Sequence, residues 1–287
     1  MKAIYKRELK SYLTSMIGYL FIFFLLVLTG IYFSAYQLSA AYPKFEYTLS
    51  SLTFVFLIGV PILTMRVFAE ERKQKTDQML LTSPVSVTGI VMGKFLALVT
   101  IFSIPVLMIC IYPLVMAKYG TVDMAAQYTA ILGFFLLGCT NLAVGMYLSA
   151  ITESQVIASV LTFVVLFAFF MMNGISSFFS QTSMSTAMAL GILILAVSLV
   201  IYNMIWNILL SAAVCIIGEI AVIITYIINA SVFEGGIQKI LSIFNLTGHF
   251  ENFTNSILDV NGILYYVSFM AVCIFLTIQS IVKRRWN

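Results

Sequence analysis

Charge is what this sequence has least of. Only 9% of its 287 residues are Asp, Glu, Lys or Arg, against about 25% in a soluble globular domain, and that scarcity excludes a water-soluble fold. Histidine occurs once, at His249, and the four cysteines (Cys110, Cys139, Cys215, Cys273) each stand alone in a different apolar run. With no C-x-x-C pair and no His–Cys cluster, metal and redox chemistry lack a ligand set, and the cysteines read as buried structural thiols. Gly89-x-x-x-Gly93-Lys94-Phe95 is one residue short of a phosphate loop and lacks the Ser/Thr that would hold magnesium. No Ser/His/Asp constellation offers a nucleophile. The expectation is a chain with no catalytic, cofactor-binding or metal-binding residue and no nucleic-acid partner. The first apolar run follows a charged segment without a small-residue cleavage site, so no signal peptide is expected.

What the sequence does have is apolar length: 62% of it is hydrophobic. A crossing of the hydrocarbon core needs about 20 apolar residues, and backbone amides there must be satisfied internally. The runs are uniformly apolar rather than alternating, which selects helices over barrel strands. Spans are expected near 18–37, 49–68, 95–117, 128–150, 156–174, 185–202, 208–230 and 263–282. The stretch from 185 to 230 has 46 residues, a helix of about 69 Å at 1.5 Å per residue, over twice the roughly 30 Å core. It is therefore split at Tyr202-Asn203-Met204-Ile205-Trp206-Asn207, whose aromatics and asparagines suit the interface. The fold class is an all-α polytopic membrane protein of eight spans, or six if this stretch is re-entrant.

The cations set the orientation. Lys2, Lys6, Arg7, Lys10, Arg66, Arg72, Lys73, Lys75, Lys94, Lys283, Arg284 and Arg285 fall on one side, and Lys44, Lys118 and Lys239 on the other. Twelve against three in short loops places both termini and the 66–94 loop in the cytoplasm of a plasma (bacterial inner) membrane protein.

Four segments stand out. Over residues 1–17, Tyr5, Leu9, Tyr12 and Met16 line one helical face beside Lys6, Arg7, Glu8 and Lys10, as in a helix lying in the headgroup plane of the membrane lipids, or a plain orientation signal. Residues 70–84 start charged, end in Met79-Leu80-Leu81 and stop at Pro84, as in a short amphipathic helix whose apolar end fills a groove on a partner. The bland alternative is a solvated loop. Glu219 is the one ionisable residue near the middle of an expected span. A charge there costs about 2.5–3.5 kcal/mol on insertion scales, so it should face protein or water. It reads either as a substrate or proton site or as a carboxyl holding helices together, with Asn141 and Asn173 as candidate partners. Residues 231–262 interleave Ile240, Leu241, Ile243, Phe244, Phe250 and Phe253 with polar residues, as in helices on the outer leaflet. His249 with Glu251 and Asp259 is a weak metal pattern.

Glu70-Glu71-Arg72-x-x-x-Thr76-x-x-x-Leu80-Leu81-Thr82-Ser83-Pro84-Val85, followed by Gly93-Lys94-Phe95, resembles the coupling-helix region of ABC type-2 permeases, in the branch that includes gliding-motility and copper-maturation exporters. Three further blocks are similar to that branch: Lys6-Arg7-Glu8-Leu9-x-x-Tyr12 to its interfacial connecting helix, Leu148–Gln155 to its second cytoplasmic turn, and His249-Phe250-x-x-Phe253 with Asp259, Tyr265-Tyr266 and Lys283–Trp286 to its carboxy-terminal block. Leu13 and Met16 stand where Phe and Pro are usual, and Lys75 where Gly often precedes the Thr. The extra pair of spans departs from the family's six.

The resemblance implies one ABC type-2 transmembrane domain over 1–287, paired with a second copy or a paralogue and with a separate ATPase that binds the ATP and magnesium. The ATPase-coupling residues it implies are Glu70, Glu71, Arg72, Lys75, Thr76, Asp77, Leu80, Leu81, Ser83, Pro84, Glu153, Ser154 and Gln155, with Glu219, Asn141 and Asn173 along a substrate path. Pro61, Pro105 and Pro113 would serve as bending points. The implied activity is ATP-driven export. The rivals are a subunit that does mechanical work on an external partner and, less in keeping with the residues, a membrane-embedded enzyme using Glu219 and His249. The charge asymmetry predicts that, in a cysteine-free background, single cysteines at Lys44, Lys118 and Lys239 react with an impermeant maleimide on intact cells while cysteines at Lys73 and Arg284 do not. The reverse labelling pattern would invert the topology.

Overall fold

The computed structural model describes residues 1–76, 85–178 and 235–286, with 182–184, 186–188, 191, 194, 198, 215–216, 219–220, 222 and 224–226 between them. Among the described residues every regular element is helical. Contacts group the chain into two compact units, one of Met1–Phe170 with Leu246–Asn287 and one of Met171–Asn245.

In the first unit, α1 (Lys2–Thr14) ends at Ser15, whose extended backbone turns the chain into α2 (Met16–Phe33). A π-helical turn, Ser34–Ser39, prolongs α2. α3 (Glu46–Leu52) runs through a 3-10 turn into α4 (Phe56–Thr64), and α5 (Ala69–Lys73) follows after a break. α6 (Val87–Ile109) is capped by Ser86, whose hydroxyl accepts from the Gly89 amide, and continues as α7 (Ile111–Tyr119). Pro113 supplies no amide for the Ile109 carbonyl, which accounts for the interruption at Cys110. The Tyr128 hydroxyl donates to the Cys110 carbonyl at 3.2 Å. Pro61 and Pro105 lie inside α4 and α6. α8 (Met124–Ile151) is capped by Asp123, which accepts from the Ala126 amide. α9 (Gln155–Phe170) and, after the second unit, α12 (Leu246–Thr254) and α13 (Val260–Trp286) complete this body. The second unit contains α10 (Met172–Phe178) and α11 (Gly236–Ser242).

Among the described residues five stretches are long and apolar enough to cross a membrane: Met16–Ser39, Glu46–Lys73, Val87–Tyr119, Met124–Ile151 and Val260–Arg284. A sixth is reached if Gln155–Phe170 and Met172–Phe178 are taken as one broken span. Four of the five extend the run expected from sequence by one to five residues at each end, and the third begins eight residues earlier, at Val87 rather than at 95. The additional pair expected at 185–202 and 208–230 lies mostly outside the described residues.

α8 is the hub, with 78% of its apolar stretch buried against 22% for α13. Its glycines explain how neighbours approach so closely. A Cβ on Gly138 would lie 2.3 Å from the Phe102 ring, one on Gly145 2.4 Å from Thr64 Oγ1, and one on Gly133 2.6 Å from the Phe253 ring. Small residues at helix contacts are how membrane helices gain packing without a hydrophobic driving force. Phe56, Phe102 and Phe134 pack together above Gly138, with ring centroids 4.8–6.3 Å apart.

One expectation needs correction: the amino-terminal helix ends at Thr14, so Met16 belongs to α2 and is 82% exposed. α1 packs on α6: Ile4 and Tyr12 are buried, and Gly93 of α6 lets Ile4 come within 3.3 Å of a notional Cβ. The glycine that resembled part of a phosphate loop is a seat for α1.

Overpacking a close contact costs about 1–3 kcal/mol, so Gly138→Ala should lower the apparent melting temperature of the purified protein in detergent. Gly120→Ala, with nothing within 4 Å of its Cβ, should leave it unchanged.

Candidate functional site

Two of the segments singled out by sequence, the amino-terminal helix and the start of 70–84, meet where α4 gives way to α5. Residues 65–68 leave the helix: the Val67 amide bonds the Thr64 carbonyl at 3.1 Å instead of continuing the α-helical ladder, and Phe68 adopts φ −126°. The freed backbone groups are met by three other helices. The Tyr12 hydroxyl of α1 donates to the Leu63 carbonyl at 3.0 Å. Ser149 Oγ of α8 accepts from the Phe68 and Ala69 amides, each at 3.2 Å, and donates to the Met65 carbonyl at 3.4 Å. Lys94 Nζ of α6 donates to the Val67 carbonyl at 2.6 Å.

Lys94 is also the centre of an ion network. Its side chain is 1% exposed, and Nζ lies 2.9 Å from Glu71 and 3.4 Å from Glu8, and 4.9 Å from the centre of the Phe68 ring. Arg7 bridges the same two carboxylates at 2.6 and 2.7 Å. Burial alone would lower the Arg7 pKa, but its hydrogen bonds and charge pairing with Glu8 and Glu71 outweigh it and the net direction is up. Burial, reinforced by nearby carboxylates, drives the Tyr12 hydroxyl far up, so it stays protonated as a donor. Arg66 pairs with Glu70 at 2.5 Å. An open cleft of about 320 Å³ lies among these groups. Its charges, three basic and three acidic, cancel within the network.

α5 ends in a Schellman motif. The Thr76 amide reaches the Glu71 carbonyl at 2.9 Å and the Lys75 amide the Arg72 carbonyl at 3.0 Å, with Lys75 at φ +57°. That left-handed position favours glycine, and in this chain a lysine occupies it. An unbroken helix over 70–84 therefore does not form: its first residues end span two and close at Lys75. Asp77, Leu80, Leu81, Ser83 and Pro84 lie outside the described residues.

The remaining expected coupling residues join the same end of the bundle. Arg72 donates to the Thr152 carbonyl at 3.2 Å, and Arg284 pairs with Glu153 at 3.2 Å. The Ser154 carbonyl accepts from the Ala158 amide, and Gln155 opens α9. Both chain ends, the first loop and the 152–154 turn are thus tied together. In the sequence Glu8 and Tyr12 belong to an amphipathic segment, Lys94 to the cation asymmetry and Ser149 to the 148–155 block, and none of these signals brings them together. The signal for Lys94 was a lone cation inside an apolar run.

The expected substrate-path residues are less gathered. Asn141 is buried in α8 beside a pocket of about 20 Å³ that it shares with Thr53, Phe56 and Leu166, room for one water. Asn173, in the second unit, bonds Asn245. Glu219, also in the second unit, lies against Gly191, where a notional Cβ would sit 3.1 Å from its carboxylate. Its Oε1 is buried and unbonded among the described residues.

The carboxy-terminal block is structural. Leu246, Phe250 and Phe253 are buried, the Tyr266 hydroxyl donates to the Leu246 carbonyl at 2.7 Å, and His249 stacks on Tyr265. Asp259 accepts from Asn252 at 2.8 Å and from the Asn261 amide at 2.9 Å, and these donors, with the Gly262 amide, hold its carboxyl below the usual range. Among the described residues no three His, Cys, Asp or Glu side chains cluster to hold a metal.

Replacing the central cation tests the network. Lys94→Met leaves Glu8 and Glu71 with Arg7 alone between them and the Val67 carbonyl without its donor, a loss of about 3 kcal/mol. It should lower the melting temperature in detergent more than Arg284→Met, which breaks only the exposed pair with Glu153. Equal effects would show that the network contributes little.

A search of curated proteins finds no match to this chain. A family model described as ABC-2 family transporter protein matches residues 2–282, nearly the whole sequence and all of the elements just described. The chain belongs to the ABC-2 transporter family, as a multi-pass membrane permease.

Proposed function

We propose that this permease is the membrane half of an ATP-driven exporter in a bacterial plasma membrane, working as a dimer or with a paralogue and docking a separate ATPase at the end that carries the Lys94 network. The observation that supports this reading most is the fusion of α1, α5, α6 and the 152–154 turn through Lys94, Tyr12, Ser149 and Arg72. A push delivered to the segment after Thr76 enters α5 and meets three helices at once rather than dissipating in a loop. The ATPase biases two arrangements of these helices, and the substrate path opens in one of them. The gliding-motility and copper-maturation exporter branch is the one whose motifs the chain resembles. The positive-inside rule puts this end in the cytoplasm.

On this reading residues 70–84 carry the docking energy at their apolar end. Burying a leucine side chain stabilises by about 1.5–3 kcal/mol, against about 0–1 for an exposed ion pair. Co-purification of the tagged permease with its ATPase should therefore fall further for Leu80→Ala or Leu81→Ala than for Lys73→Ala, at low and high salt alike. Full retention of the ATPase by both leucine variants would remove this segment from the docking surface.

A further inference from the structure

At the opposite end of the first unit lies a polar cavity of about 170 Å³ that the export reading leaves unused. It is lined by Lys44, Glu46, Ser50, Thr254, Asn255 and Ser256. Glu46 is only 5% exposed, and its Oε2 is buried without a hydrogen-bond partner. A carboxylate oxygen out of water with no donor is costly, and it favours a ligand that brings an N–H. Lys44, on the exposed chain before α3, supplies the opposite charge to the same cavity. The last turn of α12 adds carbonyls: it ends in a Schellman motif with Ser256 at φ +66°, and its C-terminal dipole favours a cation.

Around this polar hole the surface changes character. Ile257 and Leu258 are 56% and 57% exposed. Tyr42 and Tyr47 pack edge to face at 5.1 Å and are half exposed, as aromatic residues are where a membrane meets water. A soluble ligand would have no use for that apolar rim, whereas a lipid would lay its chains there.

We propose that this cavity is a lipid headgroup site for phosphoethanolamine, with the primary ammonium on Glu46 and the phosphate on Lys44. The cavity has room for several water-sized volumes at roughly 30 Å³ each, enough for that headgroup. Glu46 provides the selectivity. A primary ammonium donates N–H bonds to Oε2, whereas a trimethylammonium has none to give and leaves the oxygen unsatisfied. The site therefore distinguishes ethanolamine from choline lipids, and it anchors α3 and the end of α12 to one leaflet.

The test uses the full chain reconstituted in nanodiscs of phosphatidylcholine doped with phosphatidylethanolamine, with bound lipid counted by native mass spectrometry. Wild type should retain ethanolamine lipid over choline lipid by about tenfold, the ratio expected for one charge-assisted hydrogen bond. N-methyl and N,N-dimethyl ethanolamine lipids should bind nearly as well as the parent, because each keeps an N–H, with the loss coming at the third methyl. Glu46→Met, which removes both acceptor oxygens at similar volume, should bring the ratio close to one. Lys44→Met, at an exposed position that folding does not depend on, should weaken retention of both lipids without changing their ratio. Free phosphoethanolamine, titrated into lipid-depleted detergent samples, should give no thermal shift at concentrations where the lipid saturates. Equal retention of the two lipids by wild type, or an unchanged ratio in Glu46→Met, overturns the site. Tight binding of the free zwitterion overturns its assignment to a lipid.

Discussion

The structure turns on a helix that stops inside a membrane protein. Where α4 gives way to α5, the carbonyls of Leu63, Met65 and Val67 and the amides of Phe68 and Ala69 take partners outside their own helix. Leu63, Val67, Phe68 and Ala69 are buried among the helices, and a buried backbone group left unpaired costs about 1–3 kcal/mol. Tyr12, Lys94 and Ser149 therefore have to come to the break, and with them come α1, α6 and α8. The break organises one end of the bundle because its cost is paid by residues from three other helices.

The rest of the first unit follows from keeping those helices in register. α1 can reach Leu63 only by folding back from the Ser15 bend, and there the glycine at position 18 removes a clash: a Cβ would stand 2.4 Å from the Tyr12 carbonyl oxygen. Gly93 then admits Ile4 against α6, directly beside Lys94. On α8, Gly145 sits against Thr64, one residue past the carbonyl that Tyr12 holds. Glycine at these contacts and polar side chains at the break are two parts of one solution, since the hydrogen bonds are too short to form unless the backbones approach closely.

Much of this was legible in the sequence, and the reasons divide cleanly. Long apolar runs located four of the five described spans to within five residues at each end, because length and uniform polarity are read directly, while the third begins at Val87, eight residues before its expected start. The cluster of expected coupling residues at one end was legible through charge and motif order. The break at 65–68 was not, since Met65-Arg66-Val67-Phe68 contains neither glycine nor proline to announce it. Nor was Ser149 legible as a partner: a serine in an apolar helix reads as filler until the amides it accepts from are known. Lys75 is the converse case. Its departure from a customary glycine was visible, and the structure places it in a left-handed backbone at the end of α5.

That residue bears on how a signal would travel. A non-glycine residue in the left-handed region is disfavoured by about 1–2 kcal/mol, yet two backbone hydrogen bonds hold Lys75 there and end α5 after Lys73. Whatever binds beyond Thr76 therefore acts on a short, sharply ended helix rather than on a long flexible one. Glu71, in that helix, bonds both Arg7 and Lys94, so displacing α5 by even part of a helical turn must break a charge pair that is nearly buried or carry α1 and α6 with it. Breaking a buried pair costs far more than shifting a packed helix by an ångström or two. On the proposed function, the cheaper path is for α1, α5 and α6 to move as one body, and the ion network is what makes it cheaper.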